Sequence, residues 1–106
     1  LRDGSVIWKR DSPNRKPVIR KETLKEIKSL LKAVVSYGTA RRIRNLDVIG
    51  KTGTSQSNRD AWFIGGTKKH VIGIWVGRDD DLPMKGVAGS NIPLNIFKDI
   101  VTYSNL

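Results

Sequence analysis

Two apolar segments separated by a short charged turn constrain the fold of this chain more than any other feature. Residues 61–65 and 70–77 are rich in the β-branched and aromatic residues that strands favour. The turn between them is Thr67-Lys68-Lys69, so the sequence predicts an antiparallel hairpin. A third strand is predicted over residues 48–54, and a polar loop over residues 55–60 joins it to the hairpin.

Two helices are predicted beside these strands. Apolar residues at helical spacing mark the first over residues 22–37, and they are Leu24, Ile27, Leu30, Leu31, Val34 and Val35. The second begins at Pro93, which suits a first helical turn, and its apolar side consists of Ile96, Phe97, Ile100, Val101 and Tyr103. A further strand is expected over residues 5–9, after the turn signal Asp3-Gly4. The predicted class is α+β, an antiparallel sheet with flanking helices on one face.

Composition excludes several kinds of site. The 106 residues contain no cysteine and one histidine, His70. Disulfides, thiolate metal sites and a cysteine nucleophile are therefore excluded, and one histidine is too few for a histidine-rich metal site or an ordinary Ser-His-Asp triad. No apolar run approaches the ~20 residues that a bilayer span needs.

The chain is strongly basic, with a formal net charge of +10. Residues 1–50 carry 13 Lys and Arg against 5 Asp and Glu, whereas residues 51–106 carry 7 against 5. A basic half can bind nucleic acid or an anionic membrane, but no nucleic-acid-binding motif accompanies the charge, which favours a solvated surface. Contact of Arg41, Arg42 and Arg44 with an anionic polymer or phospholipid is a further hypothesis.

One short segment carries residue types suited to acyl transfer. Lys51-Thr52-Gly53 and Thr54 end the predicted third strand. Backbone N–H groups on a rigid strand stabilise an oxyanion without reorganising, and a glycine lets an extended peptide approach the strand edge. Lysine and threonine side chains provide donors for a carboxylate. The alternative for Lys51 is a charge that protects a sheet edge.

The residues around this motif form a specific pattern. The pattern includes residues 34–39 (VVSYGT), 49–55 (IGKTGTS), 59–65 (RDAWFIG) and 73–80 (GIWVGRDD), and later Pro83-Met84 and Ile92-Pro93. This series resembles the C-terminal part of the transpeptidase domain of penicillin-binding proteins, most closely the bifunctional class A peptidoglycan synthases. The resemblance implies the C-terminal portion of the β-lactamase/transpeptidase-like fold, and it implies no metal or organic cofactor.

The resemblance also implies roles for the motif residues. Lys51 would support the active-site hydrogen-bond network and bind the carboxylate of a substrate or β-lactam. Thr52 and Thr54 would add hydroxyl contacts on either side of Gly53, and the N–H of Thr54 would be an oxyanion donor. Substrate would add to the edge of this strand.

Two further elements of the family are not found in the expected places. The family has a nucleophilic serine followed three residues later by lysine, then a serine-x-asparagine element, both before the lysine-threonine-glycine strand. Ser29 with Lys32, and Ser12-Pro13-Asn14, match these patterns, but in reversed order and too close to Lys51, so both are interpreted as chance matches. We expect residues 1–106 to be a C-terminal fragment of a transpeptidase domain, cut from a longer chain, that supplies one wall of the active site and is inactive alone.

By the resemblance, the parent protein cross-links peptidoglycan stem peptides outside the cytoplasmic membrane and binds β-lactams. A membrane anchor would precede this chain, the remainder of the transpeptidase domain would be its partner, and no nucleic-acid partner is expected. The fragment is expected to self-associate through an unpaired edge near Val6 and Trp8 and through apolar surface that the missing part of the domain would cover. The alternatives are a small basic module for nucleic acid or another polyanion, which a salt titration with an oligonucleotide separates, and a stand-alone binding remnant of this fold.

Three other groups of residues have two interpretations each. Asp79-Asp80-Asp81 suggest a divalent cation site, but consecutive acids rarely converge on one ion, which favours a solvated turn. His70 is expected at the surface or a strand edge. The tryptophans Trp8, Trp62 and Trp75 can stack on single-stranded nucleic acid, although apolar neighbours favour core packing for Trp62 and Trp75.

Overall fold

The computed structural model describes Ser5, Val6, Trp8, Lys9 and residues 16–106. In these residues helix α1 (Lys21–Ser36) is followed by a 3-10 turn (Arg41–Ile43) and by three strands. The strands are β1 (Ile49–Thr54), β2 (Asp60–Gly66) and β3 (Val71–Gly77), and a second 3-10 turn (Gln56–Asn58) lies between β1 and β2. Helix α2 (Ile92–Tyr103) comes last.

The strands form one antiparallel sheet in the order β1-β2-β3, with α1 against β1 and α2 against β2 and β3. This arrangement confirms the predicted α+β class. No helix within the described ranges has the length and the apolar character to cross a bilayer.

The hairpin of β2 and β3 is confirmed. The Thr67 N–H donates to the His70 carbonyl oxygen at 2.9 Å, and the Thr67 hydroxyl oxygen accepts from the His70 N–H at 3.1 Å. His70 is exposed at this turn, as predicted. Side chains alternate between the two faces of a sheet, so Phe63 faces the helices while Trp62 and Ile64 face away from them.

Two aromatic rings and two glycines join α2 to the sheet. Phe63 and Phe97 are fully buried, and their rings meet edge to face with centroids 4.8 Å apart. Gly50 and Gly65 lie directly opposite each other in β1 and β2. A Cβ at Gly50 would lie 2.6 Å from Cζ of Phe63, and one at Gly65 would lie 2.6 Å from the Phe97 ring. The rings therefore pack directly on the backbone of the two glycines. A side chain at position 50 or 65 would occupy the space of a ring.

Helix α1 contributes less to the core than its apolar stripe predicts. Val35 is fully buried, whereas Leu24 and Ile27 are exposed, Leu30 is 69% exposed and Leu31 is only half-buried. The helical spacing is present, but only the last turn of α1 reaches the core cluster. That cluster consists of Val35, Ala40, Ile43, Val48, Phe63, Leu94, Phe97 and Val101. The apolar stripe predicted over residues 22–37 is therefore buried only at its C-terminal end.

The predicted strand over residues 5–9 does not form in the part of it that the structure describes. Ser5, Val6, Trp8 and Lys9 have no strand conformation, and Val6 and Trp8 are exposed. Residue 7, the turn signal at residues 3–4 and the Ser-Pro-Asn sequence at residues 12–14 lie outside the described residues. Among the described strands, the open edges belong to β1 and β3.

The loop before α2 is fixed to β1 by a glycine. The Gly89 N–H donates to the Thr54 hydroxyl oxygen at 3.1 Å. A Cβ at Gly89 would lie 2.6 Å from the carbonyl oxygen of Gly53 and 2.9 Å from its nitrogen. The Asn91 side chain supports this loop, because Oδ1 accepts from the N–H groups of Ala88 and Ile92 and Nδ2 donates to the Gly86 carbonyl oxygen. The loop thus docks closely only with glycine at position 89.

Truncation of Phe97 tests the aromatic contact. Phe97→Ala should lower the free energy of unfolding by about 3–5 kcal/mol, because it removes a fully buried ring and leaves a cavity over Gly65. Leu30→Ala is the control and should change it by less than about 0.5 kcal/mol, because Leu30 is largely exposed. Urea denaturation followed by circular dichroism measures both. Equal losses in the two variants would show that α2 does not pack on the sheet as described.

Substitution of Gly89 tests the docking of the loop. Gly89→Ala should cost about 1–3 kcal/mol, because the new methyl group overlaps the backbone of β1, and it should shift the amide resonance of Thr54. Gly73→Ala is the matched control, since its Cβ would meet only Ile64 at an ordinary 3.8 Å. An unchanged Thr54 resonance in the Gly89 variant would contradict the close approach.

Candidate functional site

Strand β1 has one edge that no other described strand covers. The Ser55 N–H donates to the Asp60 carbonyl oxygen at 2.9 Å, which continues the register of β1 and β2 by one hydrogen-bonded pair. Antiparallel pairs alternate between residues that bond to the partner strand and residues whose backbone groups point away from it. The backbone groups of Thr52 and Thr54 therefore point to the open edge of β1.

The side chains of the motif lie on both faces of the sheet at this edge. Thr52 and Thr54 share the helix-covered face with Phe63, which is directly opposite Thr52. Lys51 is opposite Ile64 on the uncovered face, and its Nζ donates to the Thr52 carbonyl oxygen at 2.8 Å. Since that oxygen points outward, the ammonium group of Lys51 lies at the open edge. The predicted site residues therefore meet in one place, and their roles stay predictions.

The two threonine hydroxyls are held by segments that are distant in sequence. The Thr39 and Thr52 hydroxyl oxygens are 2.8 Å apart and share a hydrogen bond in which either can donate. The Thr54 hydroxyl oxygen accepts from the Gly89 N–H. Neither Thr39 nor Gly89 was among the predicted site residues. Thr39 was visible only as the end of the VVSYGT segment, which gave no sign of its contact with β1.

The serine-lysine look-alike lies away from this edge. Ser29 is exposed on α1. Lys32, three residues later, pairs with Oδ1 of Asp47 at 3.2 Å, while Lys68 pairs with Oδ2 at 3.2 Å. The hydrogen bonds from these two ammonium groups lower the pKa of Asp47 below its ordinary value. Asp47 thus bridges α1 and the hairpin turn, and Lys32 takes part in this ion-pair network.

The acidic loop after β3 is organised by arginines. Arg78 donates from Nε and Nη2 to the two carboxylate oxygens of Asp80, and these bonds lower the pKa of Asp80 to about 2. Arg59 pairs with Asp81 at 2.9 Å. Asp80 and Asp81 therefore pair with different arginines instead of converging on one point.

The two tryptophans of the hairpin lie on the uncovered face of the sheet. Trp62 and Trp75 are 42% and 51% exposed, with ring centroids 6.3 Å apart, and Nε1 of Trp75 donates to Asp60 at 2.9 Å. The expectation of core packing is wrong for both residues, because the alternation of side chains places them on the face of the sheet that Phe63 does not occupy. Together with Ile64 and Val71 they form an exposed apolar surface, called here the aromatic face.

Comparison with known proteins places this chain in a family. The family described as the penicillin binding protein transpeptidase domain matches residues 2–102. Penicillin-binding protein 1B of Haemophilus influenzae is 33% identical over 109 residues, which cover 99% of this chain and 14% of the relative. Penicillin-binding protein 1A of Aquifex aeolicus is 39% identical over 100 residues, which cover 92% of this chain and 14% of that relative.

A solved structure agrees with these relatives. The crystal structure of penicillin-binding protein 1A from Haemophilus influenzae superposes with a TM-score of 0.69 at 30% identity, covering 80% of this chain and 15% of that chain. The present chain thus spans only a small part of the proteins that it matches. Because the family match extends over nearly all of its residues, the chain belongs to the penicillin-binding protein transpeptidase domain family.

Proposed function

We propose that this chain forms the lysine-threonine-glycine wall of the active site in a serine-type D,D-transpeptidase that cross-links peptidoglycan stem peptides. The observation that carries the proposal is the open edge of β1, where the Lys51 ammonium group and the outward backbone groups of Thr52 and Thr54 meet. Residues 1–106 are then a C-terminal part of the transpeptidase domain. The nucleophilic serine and its lysine belong to the remainder of that domain.

The geometry of the edge suits an extended peptide substrate. The peptide adds to β1 as a further strand, with its backbone bonded to the outward groups of Thr52. The Thr54 N–H donates to the scissile carbonyl oxygen, which becomes an oxyanion when the serine attacks. Lys51 and the hydroxyls of Thr52 and Thr54 bind the C-terminal carboxylate.

The reaction then proceeds in two acyl transfers. The serine oxygen bonds to the carbonyl carbon, and the C-terminal residue of the donor peptide leaves as an amine that takes up a proton. The amine of a second stem peptide attacks the resulting ester, forms the cross-link and releases the serine with its proton. A β-lactam reacts in the first step, when the serine oxygen attacks the carbonyl carbon of its ring. Residues of this chain bind and orient the substrate in both steps, and the serine comes from the remainder of the domain.

Family membership also supports the location and partners of the parent protein. Peptidoglycan and β-lactams are the expected ligands of this family, and these ligands support a location of the parent on the outer side of the cytoplasmic membrane. The remainder of the transpeptidase domain is the expected partner of the aromatic face, since apolar side chains there are uncovered. A nucleic-acid or polyanion module is the weaker alternative, because the family match accounts for nearly the whole chain.

Replacement of Lys51 tests the site. In the full-length protein, Lys51→Ala should lower the rate of acylation by fluorescent penicillin by about tenfold or more, because the ammonium group beside the oxyanion donor is lost. Lys98→Ala, on the exposed side of α2, is the charge-matched control and should leave the rate unchanged. An unchanged rate in the Lys51 variant would show that this lysine only protects the sheet edge.

The aromatic face predicts the state of the isolated chain. Because apolar side chains are uncovered there, the 11.9-kDa chain should form dimers or larger oligomers. Light scattering coupled to size exclusion at about 0.15 M salt, where charge repulsion extends only ~8 Å, measures the mass over a concentration series. Ile64→Lys should shift the chain toward monomer. Val6→Lys should leave the oligomeric state unchanged. A shift toward monomer in that variant would show that the chains associate through the N-terminal segment.

A further inference from the structure

An open cleft lies next to the threonine hydroxyls of β1. Its volume is about 520 Å³, and it is lined by Gly38, Thr39, Arg41, Arg42, Ser90 and Asn91. Two contacts attach its walls to the site. Thr39 shares a hydrogen bond with Thr52 at 2.8 Å on one side. On the other, Gly89, the neighbour of Ser90, donates to Thr54. The cleft therefore adjoins the edge at which the substrate is proposed to bind.

The cleft is positively charged, and no described carboxylate forms an ion pair with its arginines. Arg41 and Arg42 are exposed, and none of the residues that line the cleft is acidic. Within the described ranges the ion pairs use other cations, namely Lys32, Arg59, Lys68 and Arg78. Both guanidinium groups thus remain available to a ligand.

The polar groups of the cleft are suited to a carboxylate. A guanidinium presents a planar set of donors that matches a carboxylate with two hydrogen bonds. Ser90 also lines the cleft, whereas the Asn91 amide is already bonded to its own loop. Arg44 does not line the cleft, so only two of the three arginines singled out in the sequence face it.

We propose that this arginine cleft binds a second carboxylate of the peptide substrate, distinct from the C-terminal carboxylate assigned to Lys51, Thr52 and Thr54. The inference rests on the proposed function, because the peptide must lie along β1 for one of its side chains to reach Arg41 and Arg42. A ligand bound to the strand edge passes directly beside the cleft, which favours a peptide carboxylate over a polymer or lipid surface. The cleft would make the enzyme selective for acidic stem peptides.

The test compares two peptides in the full-length protein. One pentapeptide donor carries a free side-chain carboxylate, and the other is identical except that this carboxylate is amidated. The double variant Arg41→Gln/Arg42→Gln should raise KM for the acidic peptide by about tenfold and leave kcat nearly unchanged, because the contact forms equally in the ground and transition states. The same variant should have little effect on KM for the amidated peptide.

Two controls separate this inference from folding and from the proposed function. Arg44→Gln removes a nearby positive charge outside the cleft and should leave both KM values unchanged. Acylation by benzylpenicillin, which has a single carboxylate, should proceed at the wild-type rate in the double variant.

The outcomes are distinct. Equal losses on both peptides, or slower acylation by penicillin, would overturn the inference, because the arginines would then serve the C-terminal carboxylate or the fold. A wild-type protein that reacts with neither penicillin nor peptide would overturn the proposed function itself, and the assignment of the cleft with it.

Discussion

The edge-to-face packing of the Phe63 and Phe97 rings fixes the position of α2 on the sheet, and the proposed site depends on this position. It holds α2 on the sheet over the bare backbone of Gly50 and Gly65. The loop that enters α2 is thereby held against β1, where Gly89 reaches the hydroxyl of Thr54. The position of the Thr54 hydroxyl at the open edge thus depends on packing in the core.

Local sequence patterns predicted the hairpin, because strand composition and a short turn depend only on neighbouring residues. A period of two residues places Phe63 and Trp62 on opposite faces regardless of the rest of the protein. It does not determine whether anything covers a face. For this reason the burial of Trp62 and Trp75, and of the early turns of α1, was predicted incorrectly. Burial depends on what the rest of the chain, or another chain, places against a surface.

The contacts that the sequence did not predict are long-range ones between loops and strands. Thr39 follows α1 and Thr52 lies in β1, and no periodic pattern connects two polar residues that are 13 positions apart. The arginine cleft has the same origin, since its walls come from residues 38–42 and from Ser90-Asn91. The motif marked the strand, but only the fold shows which segments flank it.

The shared hydrogen bond of Thr39 and Thr52 has a consequence for how binding is transmitted. Each hydroxyl has a single hydrogen to donate, and either oxygen can be the donor. An anion that accepts the hydrogen of Thr52 leaves Thr39 as the only donor of the pair. The two dipoles then point in the same direction and polarise each other. Binding of an anion to the Thr52 hydroxyl would therefore fix the orientation of a hydroxyl on a separate segment.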